Sequence, residues 1–456
     1  MKEKLFLKAS KNWMSKNTSK LLLLLFFSLF LNSEVSAQMR CRSTLGGHLK
    51  PITKNSPISW AIEGTMSPGI MTSPYDSIEK AKLTGGMLIG ALDVKLSNDH
   101  SLYIEGGYKN WKNSELVNDK RLKSRHYGVR QFFYGYSHEN TKLKIGLHET
   151  RLGDFFLVDE RVLGVSLDKE YNAFTYNIRG GTVMKNFARM GQFCSNRHLY
   201  GVLHPNYTEK IGKSLGDTNM AGVVINWNPH FKKEAESSDE FSEDTSDEFS
   251  DSSDDEFSSE EDSKKPVIMI DNIAFLLYDE FGNENFIPDN KFYAGNLIDF
   301  KLPKDFMLQT ALVYQNMNLN NALVYMAKLQ KSVSWKNASN TKFSSAFIGK
   351  MNVDDHAVFQ PLFSNLFLGE IMRLDGHDFP LWHVAVKHRF PGKYKFHIEL
   401  KSVGQIEASK INEQNVEIGA ILLKNHFKVT LIGSHVQTDL LPNDFYTARI
   451  EMRLAF

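Results

Sequence analysis

Hydrophobic and polar residues alternate over the last eleven positions of the chain, with Ala455 as the exception. The even positions carry apolar side chains: Tyr446, Ala448, Ile450, Met452, Leu454 and Phe456. The odd positions between them carry polar or charged ones: Thr447, Arg449, Glu451 and Arg453. A period of two gives a β-strand one apolar and one polar face. About 9–11 residues is also the length that a tilted strand needs to cross hydrocarbon, so the pattern predicts a strand long enough to span a membrane.

The same alternation returns along most of the chain. It is most regular at 142–148, 382–387, 394–401 and 426–431. Less regular runs lie at 58–65, 85–96, 101–112, 124–138, 160–170, 173–185, 220–228, 267–279, 292–302, 306–316, 320–335, 340–350 and 414–424. Turn-forming pairs such as Pro391-Gly392 separate neighbouring runs. The runs predict an all-β chain with 14–18 antiparallel strands, in either a soluble sheet or a transmembrane barrel.

The N-terminus has the three parts of a secretory signal peptide. Six lysines precede an apolar stretch from Leu21 to Leu31, and the small residues Ser36 and Ala37 follow before Gln38. The apolar stretch is shorter than the roughly 20 residues of a membrane-spanning helix. We therefore predict that residues 1–37 are a signal peptide, cleaved between Ala37 and Gln38. A lipoprotein with Cys41 as the lipidated residue is the less favoured alternative, because the residues before Cys41 do not resemble such a site.

An exported chain with membrane-length strands favours a transmembrane antiparallel β-barrel at 38–456 over a soluble sheet. The apolar positions at the end of the last strand, Ile450, Met452, Leu454 and Phe456, resemble the assembly signal of outer-membrane proteins. The resemblance implies localisation in the cell outer membrane. The expected partners are outer-membrane lipid and the barrel-assembly machinery, and no partner of the nucleic-acid class is expected.

One segment breaks the pattern through its charge. Residues 234–262 contain 15 Asp or Glu and no Lys or Arg, and Asp-Glu-Phe-Ser recurs at 239–242, 247–250 and 255–258. Self-repulsion and low apolar content predict a disordered acidic loop at 234–265 within the barrel. The loop is a solvated spacer, a loose Ca²⁺-binding segment or a docking site for a basic partner. Apart from loose Ca²⁺ binding there, no metal or cofactor is predicted.

Two other segments interrupt the strands. We predict a long loop at 189–219. At 351–379 we predict a partly apolar loop that folds into the lumen or docks on a partner. The two cysteines, Cys41 and Cys194, both belong to the exported part. In an oxidising compartment they can pair, so a disulfide between them is one alternative and two unpaired thiols are the other.

The formal net charge of +1 hides two oppositely charged parts. The predicted signal peptide carries +4 and the acidic tract −15, so the rest of the chain carries +12. Strand parity predicts a basic pore lining made of Lys142, Lys144, His148, His383, Lys387, Arg389, Lys395, His397, Lys401, Lys428, Arg449 and Arg453. The main acids expected on the same face are Glu399, Glu417 and Glu451. Basic rings in a pore favour anions, whereas pairing with acids would give a packed, closed lumen.

The residues also resemble a known group of barrels. The export signal ending in Ser36-Ala37-Gln38 and the closing Phe456 look like outer-membrane proteins of the Bacteroidetes. The run from Gly128 to Gly181, with Asp159-Glu160-Arg161 before Gly164, is similar in style to porin and alginate-export-type barrels. This resemblance implies a lumen whose charged residues line a path for anionic solutes. The acidic tract has no counterpart in those barrels.

These observations favour an outer-membrane channel that prefers anions, narrowed by 351–379 or 189–219. The acidic tract offers a further hypothesis, in which it covers the basic lumen. The alternative function is a non-transporting barrel subunit of an outer-membrane secretion, assembly or polysaccharide-export complex. An enzyme is not expected, because the nearest Ser–His and His–acid pairs, Ser434-His435 and His148-Glu149, are strand neighbours that point to opposite faces.

Overall fold

The computed structural model describes the strands of the chain and a few residues between them. The described residues are 45, 49–54, 56–74, 80–117, 120–152, 158–184, 218–227, 268–279, 291–317, 320–352, 369–370, 372, 380–406, 411–422, 426–439 and 441–456. The predicted signal peptide, Cys41, Cys194 and the acidic tract lie outside them. The cleavage site, the disulfide and the character of the acidic tract therefore stay predictions.

The secondary structure of the described residues consists of β-strands. They are β1 (Lys50–Pro51), β2 (Ile58–Met66), β3 (Gly69–Thr72), β4 (Lys80–Lys95), β5 (His100–Val117), β6 (Lys120–His138), β7 (Thr141–Leu152), β8 (Val158–Tyr171), β9 (Phe174–Val183), β10 (Thr218–Trp227), β11 (Ile268–Asp279), β12 (Lys291–Leu302), β13 (Phe306–Met317), β14 (Asn320–Ser334), β15 (Asn340–Asn352), β16 (Leu381–Arg389), β17 (His397–Gln405), β18 (Ile411–Leu422), β19 (Phe427–Thr438) and β20 (Phe445–Ala455). Within this described part, no helix is long and apolar enough to cross a membrane.

The strands form one closed antiparallel barrel. From β4 onward each strand pairs with the next, and β20 returns to pair with β2 and β3. Ile62 and Phe456 close the seam with two backbone hydrogen bonds of 3.0 and 2.9 Å. Of the twenty described strands, β1 has only two residues, and β2 and β3 form one strand interrupted at Pro68, which has no N–H for the ladder. Eighteen strands thus form the wall of the barrel, and the predicted antiparallel barrel of 14–18 strands is confirmed.

The two ends of the barrel differ in their connections. We call the end where β4 and the later even-numbered strands finish, which is also the end where Phe456 lies, the turn end, and the opposite one the loop end. The described turns at the turn end are short, and they contain every described non-glycine residue with positive φ: Glu139, Asn172, Lys304, Asp305, Ala338 and Lys395. The long connections 184–217 and 353–380 join strands at the loop end. Residues 228–267, which include the acidic tract, connect β10 to β11 at the turn end.

The outer face of the barrel is apolar and the inner face is mostly polar. On β20 the outward side chain of Ile450 is 43% exposed, whereas inward Arg449 is 2% exposed. The predicted assembly-signal residues Ile450, Met452, Leu454 and Phe456 all lie on the outward face. An apolar outer surface on a closed barrel satisfies the backbone without water, as spanning a bilayer requires.

The inner face changes character along the barrel axis. Toward the loop end it carries buried apolar side chains, including Met71, Leu83, Val324 and Phe445, which cluster with Met372 from the β15–β16 connection. Toward the turn end, the inward positions of β16–β20 carry charged and polar side chains instead. The inner face thus has an apolar zone at the loop end and, on the β16–β20 side, a charged zone nearer the turn end.

Candidate functional site

The inner wall formed by β16–β20 brings together most of the predicted basic residues. Seven of them lie on the inner faces of these strands: His383, Lys387, His397, Lys401, Lys428, Arg449 and Arg453. Arg389 lies half-buried at the end of β16. Lys142, Lys144 and His148 lie on the inner face of β7 instead, where the Lys144 Nζ is 5.2 Å from the centre of the Phe133 ring.

The assignment of Lys395 to the barrel wall is wrong. The alternation at 394–401 suggested one continuous strand, but β17 begins only at His397. Lys395 lies in the turn after β16, with φ of 40°, and its N–H donates to the Gly392 carbonyl over 3.3 Å. Pro391-Gly392 starts a turn that needs several residues to reverse the chain. The first residues of the alternating run 394–401 therefore belong to the turn.

Glutamates neutralise several of the basic residues on this wall. Glu399 lies 3.3 Å from the ammonium of Lys401 and 3.9 Å from that of Lys387. Glu417 lies 3.2 Å from His397 Nε2. Such pairs hold inward charges in place, since a buried charge without a partner is strongly destabilising. This part of the wall is therefore a network of ion pairs rather than a row of free cations.

Arg449 joins the barrel wall to the β15–β16 connection. Its guanidinium pairs with Glu370 at 2.6 Å and with Glu451 at 3.1 Å, and it donates to the Ser67 hydroxyl over 3.0 Å. Glu451 also accepts from Arg453 at 3.1 Å. Glu370 belongs to the segment 351–379, so a described part of that segment lies against the inner wall.

Glu413 on β18 holds the same connection through its backbone. Its two carboxylate oxygens accept the N–H groups of Glu370 at 2.6 Å and Met372 at 2.8 Å. A side chain at position 369 would collide with the Glu413 carboxylate, so the glycine there permits the close approach. Charge-assisted bonds to two amides of the connection fix its backbone and not only one of its side chains.

A second ion cluster lies on β5, β6 and β8. The carboxylate of Glu105 pairs with Arg130 at 2.7 Å and lies 3.9 Å from Arg161, and all three side chains are fully buried. It also accepts the Tyr103 hydroxyl at 2.7 Å and the Leu45 N–H at 2.8 Å. None of these residues was predicted as a site residue.

Leu45, which precedes β1 in the chain, lies inside the barrel. Its side chain is 1% exposed and packs with inward residues of β2, β4 and β5, among them Ala61, Met87 and Trp111. Leu45 has no strand partner, so the bond to Glu105 and this apolar packing hold it. The part of the lumen beside β2, β4 and β5 is therefore partly filled by Leu45.

The Ser–His and His–acid pairs considered in the sequence do not converge. Ser434 faces inward, whereas His435 faces outward and stacks on Tyr446 with ring centres 4.3 Å apart. His148 bonds to Ser166 and to the Gly146 carbonyl. No group of three or more His, Cys, Asp or Glu side chains among the described residues is arranged to hold a metal ion.

The buried charges of the described residues are nearly balanced. Nine lysine and arginine side chains and eight glutamate side chains are buried. Further inner-wall cations are less buried, at Lys142, Lys144, Lys387 and Arg389, where Lys142 is directly opposite Asp168 and Lys387 lies 3.9 Å from Glu399. All four lie in the half of the barrel nearer the turn end. The electrostatic preference of the lumen thus depends on this region.

No protein-family model and no curated protein sequence matches this chain. Among solved structures, it is similar to a BenF-like porin from Pseudomonas fluorescens Pf-5, with a TM-score of 0.53 and 10% identity over 88% of this chain and 99% of the porin. It is also similar to OccK9 (OpdG) of Pseudomonas aeruginosa, with a TM-score of 0.50 and 10% identity over 89% of this chain and 100% of that one. The Bacteroidetes resemblance stays a prediction. At this identity the likeness concerns the fold alone, and the chain has a porin-type β-barrel fold.

Proposed function

We propose that this chain is an outer-membrane channel that passes small anionic solutes. The observation that carries the proposal is the closed barrel, apolar outside, whose inner wall carries the less buried cations Lys142, Lys144, Lys387 and Arg389 near the turn end. Cations on the wall of a water-filled passage raise the local concentration of anions. The ion pairs deeper in the wall contribute little net field, so selectivity arises mainly near the turn end.

The β15–β16 connection narrows this passage. Support comes from its described residues, which Glu413 and Arg449 bind to the inner wall, and from the buried Met372 in the apolar zone. An apolar constriction above a charged wall restricts flow by excluding water and lets solutes pass when they fit. The remaining residues of 351–379 lie outside the described ones.

Planar-bilayer recordings test the channel and its selectivity. In a KCl gradient the purified protein should show single-channel currents. Their reversal potential should have the sign expected when chloride passes in preference to potassium. Exchanging Lys142 and Lys144 for glutamate should move that potential toward potassium, because both side chains lie on the inner wall. Lys169→Glu is the matched control, since Lys169 is exposed on the outward face of the neighbouring β8. Cation preference in the wild type would contradict the proposal.

Replacing Glu413 by alanine should raise the single-channel conductance. The substitution leaves the buried amides of Glu370 and Met372 without their acceptor, at a cost of about 1–3 kcal/mol each, so the loop backbone should leave the wall for water. Gln414→Ala, on the outward face of the same strand, should leave the conductance unchanged. Equal conductance in both variants and the wild type would show that the loop does not narrow the passage.

A non-transporting barrel subunit is the second candidate function. It is favoured by the near balance of buried charges and by Leu45 inside the lumen, both of which suit a filled barrel. The bilayer experiment separates the two functions. If the folded protein carries no current, the accessory function is the better explanation, and co-purification after mild detergent extraction should then identify a complex.

A further inference from the structure

Several buried polar side chains on the inner wall of β16–β19 are without hydrogen-bond partners. Both ring nitrogens of His383, both amide atoms of Asn415 and the hydroxyl of Ser434 have none. The three residues are 2%, 6% and 5% exposed. Buried polar groups in native proteins nearly always have a partner, so each such group calls for a bound water, ion or ligand.

These side chains lie close together on the wall. Asn415 is directly opposite Lys401 on β17 and directly opposite Ser434 on β19. Residues directly opposite in antiparallel strands have Cβ atoms about 4.5–5.5 Å apart. On the other side of Lys401 stands the small Ala385, and His383 is the next inward residue along β16. We call His383, Lys401, Asn415 and Ser434 the β16–β19 patch.

The charged groups beside Lys401 and Asn415 have partners of their own. Lys401 pairs with Glu399 at 3.3 Å, and Glu413, the inward neighbour of Asn415 toward the loop end, accepts two backbone amides. Toward the turn end, Glu417 pairs with His397 at 3.2 Å. The groups left without partners are therefore neutral amide, hydroxyl and imidazole groups rather than free cations.

The unpartnered groups present donors and acceptors in similar number. Asn415 offers an NH₂ donor and a carbonyl acceptor, the Ser434 hydroxyl does both, and a neutral imidazole has one nitrogen of each kind. A carboxylate ligand supplies acceptors only, and it would leave the Asn415 carbonyl and one nitrogen of His383 unsatisfied. Hydroxyl groups donate and accept, so adjacent hydroxyls satisfy the whole set.

We infer that the β16–β19 patch binds a neutral solute with adjacent hydroxyl groups, of the monosaccharide class. The site goes beyond the proposed anion selectivity, because it recognises hydroxyl groups and not net charge. A solute held there lies on the wall beside the docked β15–β16 connection, since Glu413 belongs to the same strand as Asn415. The patch thus adds a recognition step within the barrel to the electrostatic attraction near the turn end.

Calorimetric titration of the detergent-solubilised full chain tests the inference. D-glucose should give a saturable binding heat, and sodium acetate at matched ionic strength should give none. Asn415→Leu removes a donor and an acceptor at once, and it should weaken glucose binding about tenfold, since each neutral hydrogen bond contributes up to about one factor of ten. Asn340→Leu is the matched control, because the Asn340 carbonyl is another buried, unpartnered amide oxygen that lies outside the patch.

The outcomes are distinct. Glucose binding that Asn415→Leu weakens and Asn340→Leu preserves supports the site, and Ser434→Ala gives the same comparison if the leucine variant does not fold. Saturable binding of acetate in preference to glucose overturns the inference. So does the absence of saturable binding to the wild type, which would mean that the patch holds water only. Because calorimetry needs no current, a protein that binds glucose without conducting would contradict the channel and leave this site standing.

Discussion

Exchanging Glu105 for glutamine should lower the free energy of unfolding of the barrel by about 3–5 kcal/mol, as expected when one partner of a buried ion pair is removed. The carboxylate faces Arg130 at 2.7 Å and Arg161 at 3.9 Å, and none of the three side chains is exposed. Glutamine keeps the shape and can still accept from Tyr103 or Leu45. The exchange therefore isolates the loss of charge between two buried guanidinium groups.

Denaturant unfolding of the barrel, refolded in lipid vesicles and followed by tryptophan fluorescence, measures this loss. Glu170→Gln is the control, since Glu170 is exposed at the β8–β9 turn, and its effect should stay within about 0.5 kcal/mol. The same loss in both variants would mean that the buried cluster contributes no more than a surface glutamate. Protease cleavage before β1 should also become faster in Glu105→Gln, because the Leu45 N–H loses its anionic acceptor.

A glutamate-specific protease added to intact cells should leave the connection between β10 and β11 uncut. Trp227 ends β10 and Ile268 begins β11 at the turn end, which is also the end of the barrel where Phe456 lies. In outer-membrane barrels the short turns face the periplasm and the longer loops face the outside. The acidic tract, which lies within this connection, is therefore expected in the periplasm, where the protease arrives only after the outer membrane has been permeabilised.

Cleavage products on an immunoblot distinguish the two sides. A control variant with an added cleavage site at 318–319, in the β13–β14 connection at the loop end, should show the opposite pattern and be cut in intact cells. Cutting of the wild-type 228–267 connection in intact cells would place the turn end outside. It would also exclude a periplasmic partner for the acidic tract.

The sequence was sufficient for the architecture because alternation and burial coincide. On β20 each polar odd position, from Thr447 to Arg453, is buried on the inner face, and each apolar even position faces outward. Strand number was predicted only as a range. The reason is local: Pro68 divides one strand into β2 and β3, and a break of two residues has the same sequence pattern as a short turn.

The Glu105 cluster could not be predicted from parity. The pairing of β5 with β6 shifts its register between Glu105 and Gly106, so Arg130 has no partner in the ladder, and both Arg130 and Gln131 are buried. A bulge of this kind inserts one extra residue into the strand. Counting alternate positions therefore assigns every residue beyond the bulge to the wrong face. The position of Leu45 could not be predicted from local patterns either, because Leu45 bonds to Glu105, which is 60 positions away in the sequence.

The balance of charge on the β16–β20 wall is a third feature that needed the structure. The sequence identified Glu399, Glu417 and Glu451 as the acids of the inner face, and it left open whether the lumen is an anion path or a packed network. Which charges pair depends on cross-strand register, which places Glu399 directly opposite Lys387, and on neighbours along one strand, as for Glu399 and Lys401. Glu370 comes from a connection whose path has no periodic pattern, so its bond to Arg449 was not predictable.

The seam between Ile62 and Phe456 has a consequence for the order of folding. The contacts across it join residues near the two ends of the chain, and Arg449 bonds to Ser67 over a separation of 382 positions. Contacts so distant in sequence form slowly, because the entropy of closing the loop must be lost before any of them stabilises the product. The barrel cannot close until its last strand has been made. Until then both edge strands offer unpaired backbone, and Leu45 has time to enter the lumen before the seam forms around it.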